Sequence, residues 1–107
     1  MFFTFPEDFK VREPFPGIIL RLVWGERVMI SHVTFQPHSS IPTHSHPQEQ
    51  TGIVIEGEME LTIGDESRIC RKGDAFTVPG NIEHSAGSRD SVTTVIDTFS
   101  PPREDYM

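Results

Sequence analysis

The sequence predicts an all-β fold, either a sandwich or a barrel. Short runs of strand-forming residues alternate with turn residues, at the roughly 8-to-12-residue spacing typical of such folds. No window keeps the 3.6-residue periodicity of an amphipathic helix. The length of 107 residues fits one domain with one core, so we predict a single domain over residues 1–107.

The first segment, residues 1–17, is the least regular part of the chain. Proline and phenylalanine are mixed with charged residues, which is too broken a pattern for a helix but apolar enough to pack. We therefore predict an N-terminal arm that lies over the body of the domain or over a partner subunit.

Eight later segments predict strands. Each is enriched in β-branched or aromatic residues, and Gly, Pro, Asn or Asp turns separate them. The turn centred on Gly57 joins two alternating runs, which indicates a hairpin. In chain order the predicted strands cover residues 18–24, 27–35, 51–55, 59–63, 67–71, 75–78, 82–86 and 91–99.

Composition excludes several classes of function. A net charge of -7 leaves no basic stripe for phosphates, so we expect no nucleic-acid partner. Cys70 is the only cysteine, which excludes an intrachain disulfide and a cysteine-rich zinc cluster. No apolar stretch approaches a membrane span, and the N-terminus lacks the pattern of a secretory signal. We expect a cytoplasmic protein with no membrane partner.

Two histidines one residue apart form the most informative motif. In an extended strand His44 and His46 point to the same side, whereas a helix would separate them, and Pro42 and Pro47 disfavour a helix. Gln50 has the same parity as the two histidines, so its side-chain oxygen projects to their side. The adjacent carboxylate, one residue earlier in the chain, is the second choice for this oxygen because its parity is opposite.

His84 is the natural third histidine, because a closed all-β fold can bring a position after a later turn next to the first pair. Three imidazoles with one oxygen suit one borderline divalent ion such as Zn, Ni, Fe or Mn. A neutral Gln50 leaves the ion its full charge, which predicts weaker metal binding and a stronger Lewis acid.

These residues fall into two motifs that resemble those of the cupins. The stretch from His44 through Gln50 to Gly57 resembles the first cupin motif, and the stretch from Gly73 through Pro79 to His84 resembles the second. The resemblance implies a double-stranded β-helix, or jelly roll, with a metal inside. The chain departs from the usual pattern at four positions: His38 and Asn81 replace Gly, Gln50 replaces Glu, and Ser88 replaces Asn.

The last strand carries an acidic residue on an apolar face. Asp97 and Phe99 share that face, and an unpaired buried charge is unfavourable in a small core. The alternative places Asp97 at an exposed strand end and Arg103 in a solvated tail. The segment from Asp97 to Tyr106, together with the histidine motif upstream, resembles the corresponding sequence of the KdgF-type uronate-linearising cupins of pectin and alginate breakdown.

This resemblance implies a substrate and a role for each residue. The substrate is a 4,5-unsaturated uronate left by polysaccharide lyases, and the product is a linear 5-keto-4-deoxyuronate. Asp97 is the candidate acid/base, with a pKa raised by burial. Arg103 pairs with the uronate carboxylate, and Phe99 forms a wall against the sugar. Trp24 belongs to the core or stacks on the sugar, and His32 is either a structural histidine or a substrate contact.

Two other functions remain open at this point. A cupin can bind a sugar or another small molecule without catalysis, and three histidines around iron can support a dioxygenase. The Phe-rich arm also favours a homodimer in which residues 1–17 pack on the partner.

Overall fold

The computed structural model describes all residues, 1–107, and shows a jelly-roll β-sandwich of ten strands. The predicted all-β cupin fold is therefore confirmed. The strands are β1 Lys10–Phe15, β2 Ile18–Trp24, β3 Met29–Phe35, β4 Ser40–His44, β5 Glu49–Glu56, β6 Glu58–Ile63, β7 Glu66–Arg71, β8 Ala75–Val78, β9 His84–Ser88 and β10 Thr93–Ser100. A three-residue 3-10 helix, Glu104–Tyr106, follows the last strand.

The strands form two antiparallel sheets. One has six strands in the order β1-β2-β3-β10-β5-β8, and the other has four in the order β4-β9-β6-β7. Strands that follow each other in the chain often belong to different sheets, as β4 and β5 do. The histidine-rich segment between these two strands therefore crosses from one sheet to the other.

Alternation along the strands builds the core between the sheets. On β3 the inward positions are buried and the positions between them are exposed or half-buried. On β10 the inward residues are Thr93, Val95, Asp97 and Phe99, all buried. Asp97 is thus the only charged residue among the inward residues of β10, as the sequence pattern predicted. The largest core side chains include Ile18, Leu22, Met29, Phe35, Val54 and Met59.

The predicted N-terminal arm contains a strand that sequence reasoning missed. β1 pairs with β2, so that Lys10 lies opposite Leu22 and Arg12 opposite Leu20. The pairing becomes irregular after Arg12, where Pro14 follows. Proline removes a hydrogen-bond donor and is tolerated at the edge of a sheet or at an irregularity, and β1 is an edge strand.

Two departures from the cupin pattern have a backbone explanation. His38 and Asn81 stand where Gly is usual, and both have positive φ angles, 56° and 67°. Asn enters this left-handed region more readily than most residues. The extended strand predicted through His44 and His46 also differs, because β4 ends at His44 and β5 begins only at Glu49. In addition, β9 continues through Gly87 and Ser88 into a segment predicted as a loop.

No helix in the structure is long and apolar enough to cross a membrane.

Candidate metal centre

The three predicted histidines converge. His44 ends β4 and lies directly opposite His84, which begins β9, while His46 lies two residues beyond β4. One potential ligand atom from each of the three lies within 4.8 Å of the others. The ring centroids of His44 and His84 are 4.2 Å apart, and those of His46 and His84 are 4.9 Å apart. The pairing of β4 with β9 is therefore what joins the third histidine to the first two.

Backbone carbonyls set the orientation of all three rings. Nδ1 of His44 lies 2.9 Å from the carbonyl oxygen of Pro42, Nδ1 of His46 lies 3.0 Å from that of Gln48, and Nδ1 of His84 lies 2.8 Å from that of Ile82. A carbonyl oxygen only accepts, so each Nδ1 carries the proton. In a neutral ring Nε2 then presents a lone pair, which is the state that a metal requires.

Burial favours the neutral form of two of these rings. Burial is the main cause that lowers the pKa of His46 to about 4, and the nearby charge of Arg103 contributes to the same shift. Burial is also the main cause that lowers the pKa of His84. Nε2 of His84 is buried and has no hydrogen-bond partner. A buried lone pair without a partner is unfavourable unless a ligand or an ion satisfies it.

Gln50 supplies the oxygen at the same centre. Its side chain is buried, and Oε1 lies 3.1 Å from Nε2 of His46. The carboxylate of Glu49 is on an exposed residue, as its opposite parity predicted. Three imidazoles and one amide oxygen fit one divalent ion, so His44, His46, Gln50 and His84 remain our candidate ligands.

Asp97 lies beside this centre with its carboxyl buried. It pairs across the sheet with Ser31 on one side and Gly52 on the other. Burial raises the pKa of Asp97 to about 7, although a hydrogen bond from Gln50 and the charge of Arg103 both act in the opposite direction. Its Oδ1 has no hydrogen-bond partner. A side chain at Gly52 would overlap Asp97 and Phe76, so this position must lack a Cβ.

Arg103 is buried, which excludes the alternative of a solvated tail. Its Nε donates to Oδ1 of Asp105 over 3.3 Å, and a terminal nitrogen donates to Oδ2 over 2.8 Å. The guanidinium carbon lies 4.0 Å from the ring centroid of Tyr106. The residues after β10 thus fold back over the site. Sequence reasoning did not assign roles to Asp105 or Tyr106, although both belong to the segment whose sequence suggested the family.

A cavity of about 520 Å³, counted with its open mouth, joins these groups. Apolar side chains from both sheets form most of its wall. The polar lining residues are Ser31, His44, Gln50, His84, Asp97, Arg103 and Tyr106.

Phe99 does not line the cavity. It is 4% exposed, its ring centroid is 5.5 Å from that of His46, and the guanidinium carbon of Arg103 lies 5.3 Å from it. The structure therefore places Phe99 behind two functional side chains, where it supports their positions. The wall against a sugar that we predicted from the sequence stays a prediction.

Three other singled-out residues lie outside the cavity. His32 is half-buried and its ring packs on Phe5, with 4.7 Å between centroids. His38 forms an exposed ion pair with Asp90 at 3.2 Å. Trp24 packs against the core from its edge. None of these three contributes to the candidate metal centre.

Comparison with known proteins gives consistent matches. The family model described as "Cupin domain" matches residues 31–97. The pectin degradation protein KdgF of Dickeya dadantii (strain 3937) is 32% identical over 87 residues, covering 80% of this chain and 79% of that protein. KdgF from Halomonas sp. has a solved structure with a TM-score of 0.90 and 29% identity, and the match covers 100% of this chain and 99% of the other. H2HPP isomerase of Bacillus subtilis is 33% identical over 90 residues, covering 75% of this chain but only 37% of that protein.

Proposed function

The chain belongs to the cupin family, and from that premise we propose that it is a metal-dependent enzyme that opens the ring of 4,5-unsaturated uronates. The product is the linear 5-keto-4-deoxyuronate, and the substrates are the monouronates released by pectin or alginate lyases. The similarity to two KdgF proteins supports the pectin-degradation context. The observation that carries the reaction is the buried carboxyl of Asp97 beside three histidines and Gln50.

The reaction is an isomerisation that needs a proton moved between two substrate atoms. Removal of the proton from the anomeric hydroxyl lets the bond between the anomeric carbon and the ring oxygen break, which leaves an aldehyde and an enolate. Delivery of that proton to the enolate carbon gives the ketone. A single carboxyl with a pKa of about 7 populates both states near neutral pH, so Asp97 can accept the first proton and return one to carbon.

The ligand set positions the substrate oxygens next to Asp97. When bound to His44, His46, Gln50 and His84, a divalent ion supplies Lewis acidity that polarises these oxygens and stabilises negative charge on them. Gln50 is buried and lies close enough to Asp97 to lower the pKa of its carboxyl, so it connects the ligand set with the proton-transfer group.

Arg103 is the candidate partner of the uronate carboxylate. A guanidinium has five N–H donors, and two of those of Arg103 point to Asp105, so three remain for a ligand. Arg103 lines the cavity, and it lies close enough to His46, His84 and Asp97 to lower the pKa of each. An acidic protein needs such a local cation to hold an anionic substrate.

The direct test supplies the purified protein with lyase-generated unsaturated monouronates and follows the enol-ether absorbance. We expect a catalytic loss of absorbance, abolition by a chelator and recovery on return of a divalent metal. Tight uronate binding in a calorimeter without loss of absorbance would contradict the proposal and favour a binding cupin. Oxygen consumption with a thiol or diketone, absent under anaerobic conditions, would favour an iron dioxygenase.

A further inference from the structure

We propose that Ser31 is a substrate-binding residue, whose hydroxyl donates a hydrogen bond to the same sugar hydroxyl from which Asp97 removes a proton. This inference rests on the proposed function. Ser31 lies in the middle of β3, where neither a motif nor the sequence pattern distinguishes it from the core residues on either side.

The register of the six-stranded sheet places Ser31 next to Asp97. The two residues are direct cross-strand partners between β3 and β10. Directly opposed side chains of an antiparallel pair point to the same face, with Cβ atoms about 4.5–5.5 Å apart. Both residues line the same cavity.

Ser31 has no hydrogen-bond partner within the protein. It is 1% exposed, and its Oγ is unpaired, as is Oδ1 of Asp97. The two side chains therefore do not bond to each other, although they lie side by side. A buried hydroxyl without a partner lowers stability relative to an apolar side chain of similar size. Its neighbours on the inward face of β3, Met29 and Val33, are apolar and offer it no partner.

A sugar hydroxyl matches this pair of unpaired atoms. A hydroxyl has one proton to donate and lone pairs to accept. The proton of Ser31 can go to the oxygen of the substrate hydroxyl, while the substrate's own proton points to the carboxylate of Asp97. Ser31 would thus orient the proton that leaves, and the arrangement selects ligands that carry a hydroxyl at this carbon.

The experiment compares Ser31→Ala with Ser88→Ala, which makes the same chemical change at a satisfied hydroxyl. Oγ of Ser88 donates to the carbonyl of Gln36 over 2.6 Å and accepts from the amide of Ser39 over 3.0 Å, and Ser88 does not line the cavity. We expect Ser31→Ala to unfold at the same or a higher temperature than wild type, with kcat/KM for the unsaturated uronate reduced about tenfold. Ser88→Ala should unfold at a lower temperature and keep the wild-type kcat/KM.

The outcomes separate this inference from the proposed function. An active wild type with an equally active Ser31→Ala overturns the role of Ser31 alone. A lowered unfolding temperature for Ser31→Ala, with wild-type kcat/KM in the folded fraction, assigns Ser31 a structural role and also overturns it. A wild type with neither turnover nor a uronate-induced rise in unfolding temperature overturns both. If Ser31→Ala does not fold, Ser31→Cys keeps the size with a weaker donor, and the same loss of kcat/KM is expected.

Discussion

Oε1 of Gln50 lies 3.1 Å from Nε2 of His46, and both atoms are hydrogen-bond acceptors. His46 carries its proton on Nδ1, next to the carbonyl of Gln48, and its pKa of about 4 keeps the ring neutral at pH 7. Gln50 stabilises the charged form of Asp97 by a hydrogen bond, which only its amide nitrogen can donate. The amide oxygen therefore faces the histidines, and two facing acceptors form a favourable place for a cation.

Replacing Gln50 by Glu should separate metal affinity from turnover. A carboxylate would bind a divalent ion more tightly than an amide does, by about tenfold or more, equivalent to about 1.4 kcal/mol. It would also place a second negative charge beside Asp97, raise the pKa of that carboxyl and lower turnover at pH 7. Metal titration and kcat measure the two effects. The control is Glu49→Gln on an exposed residue, which should change neither; an unchanged affinity in Gln50→Glu would mean that Gln50 is not a ligand.

Asp97→Asn should lower turnover but raise the stability of the metal-free protein at neutral pH. Burial raises the pKa of Asp97 from 3.8 to about 7. A raised folded-state pKa contributes stability that is present below about pH 4 and is lost as the pH rises to 7. The loss is on the order of a few kcal/mol, at about 1.4 kcal/mol per pKa unit. Asparagine stays neutral and avoids it.

Two measurements check this prediction for Asp97. Thermal unfolding with chelator should show wild type and Asp97→Asn alike near pH 4, and the variant more stable by several degrees at pH 7. Turnover with metal should fall by about 10² to 10⁴. Full activity of the variant would remove Asp97 from the mechanism. If wild type and variant are equally stable at pH 7 as well as at pH 4, burial does not destabilise the charged carboxyl of Asp97.

Site residues that are close together in the sequence could be predicted. Site residues that only strand pairing brings together could not. Sequence spacing grouped Gln50 with His44 correctly, but not for the predicted reason, because the chain crosses between the sheets after His44 instead of continuing as one extended strand. The register between β3 and β10 brings Ser31 opposite Asp97, and no local pattern reveals a pairing between residues so distant in the chain. Asp105 is only two residues from Arg103, so its ion pair could have been predicted. β1 was not predicted because its segment was interpreted as an irregular arm. The prolines there argue against a helix, but they are compatible with an edge strand.

The low pKa of His46 predicts that the protein retains its metal in mild acid. Protons compete for an ordinary imidazole below about pH 6.5, but burial lowers the pKa of His46 to about 4 and also lowers that of His84. Dialysis at successive pH values followed by metal analysis should show full occupancy at pH 5.5 and release as the pH approaches 4. A peptide of residues 42–50 should release metal near pH 6.5, because it lacks both the burial and His84. Release from the protein at that same pH would contradict the prediction.

Arg103→Ala should chiefly raise KM for the unsaturated uronate. The guanidinium binds a carboxylate present in both substrate and transition state, so its loss removes binding that is common to both. We expect KM to rise by about tenfold to a hundredfold, equivalent to about 1.4–2.8 kcal/mol. Arg89→Ala, at a surface arginine paired with Glu58, is the matched control and should leave KM unchanged. If wild type processes a neutral analogue without the carboxylate equally well, Arg103 has another role.

A homodimer remains our prediction, and the outer face of the six-stranded sheet is where two copies would meet. Nine outward residues of its central strands carry no acidic or basic side chain, apart from a half-buried histidine whose pKa is lowered by burial, in a chain with a net charge of -7. They are Ile30, His32 and Thr34 on β3, Thr94, Ile96 and Thr98 on β10, and Thr51, Ile53 and Ile55 on β5. Two charged outward side chains border them, Glu49 at the start of β5 and Arg21, which lies opposite His32 on β2. Like charges repel, so this patch of mostly uncharged residues is a face on which two acidic copies can pack.

The N-terminal arm extends this face. Phe5 packs on His32, while Phe2 is 98% exposed and has nothing in its own chain to cover it. Ile53→Glu should therefore produce a monomer by light scattering, because it places a charge inside the interface. Ile82→Glu is the matched control, since both isoleucines are 39% exposed and Ile82 lies outside this sheet. A wild type that is already monomeric at micromolar concentration would end the prediction, and a dimer that survives Ile53→Glu would place the interface elsewhere.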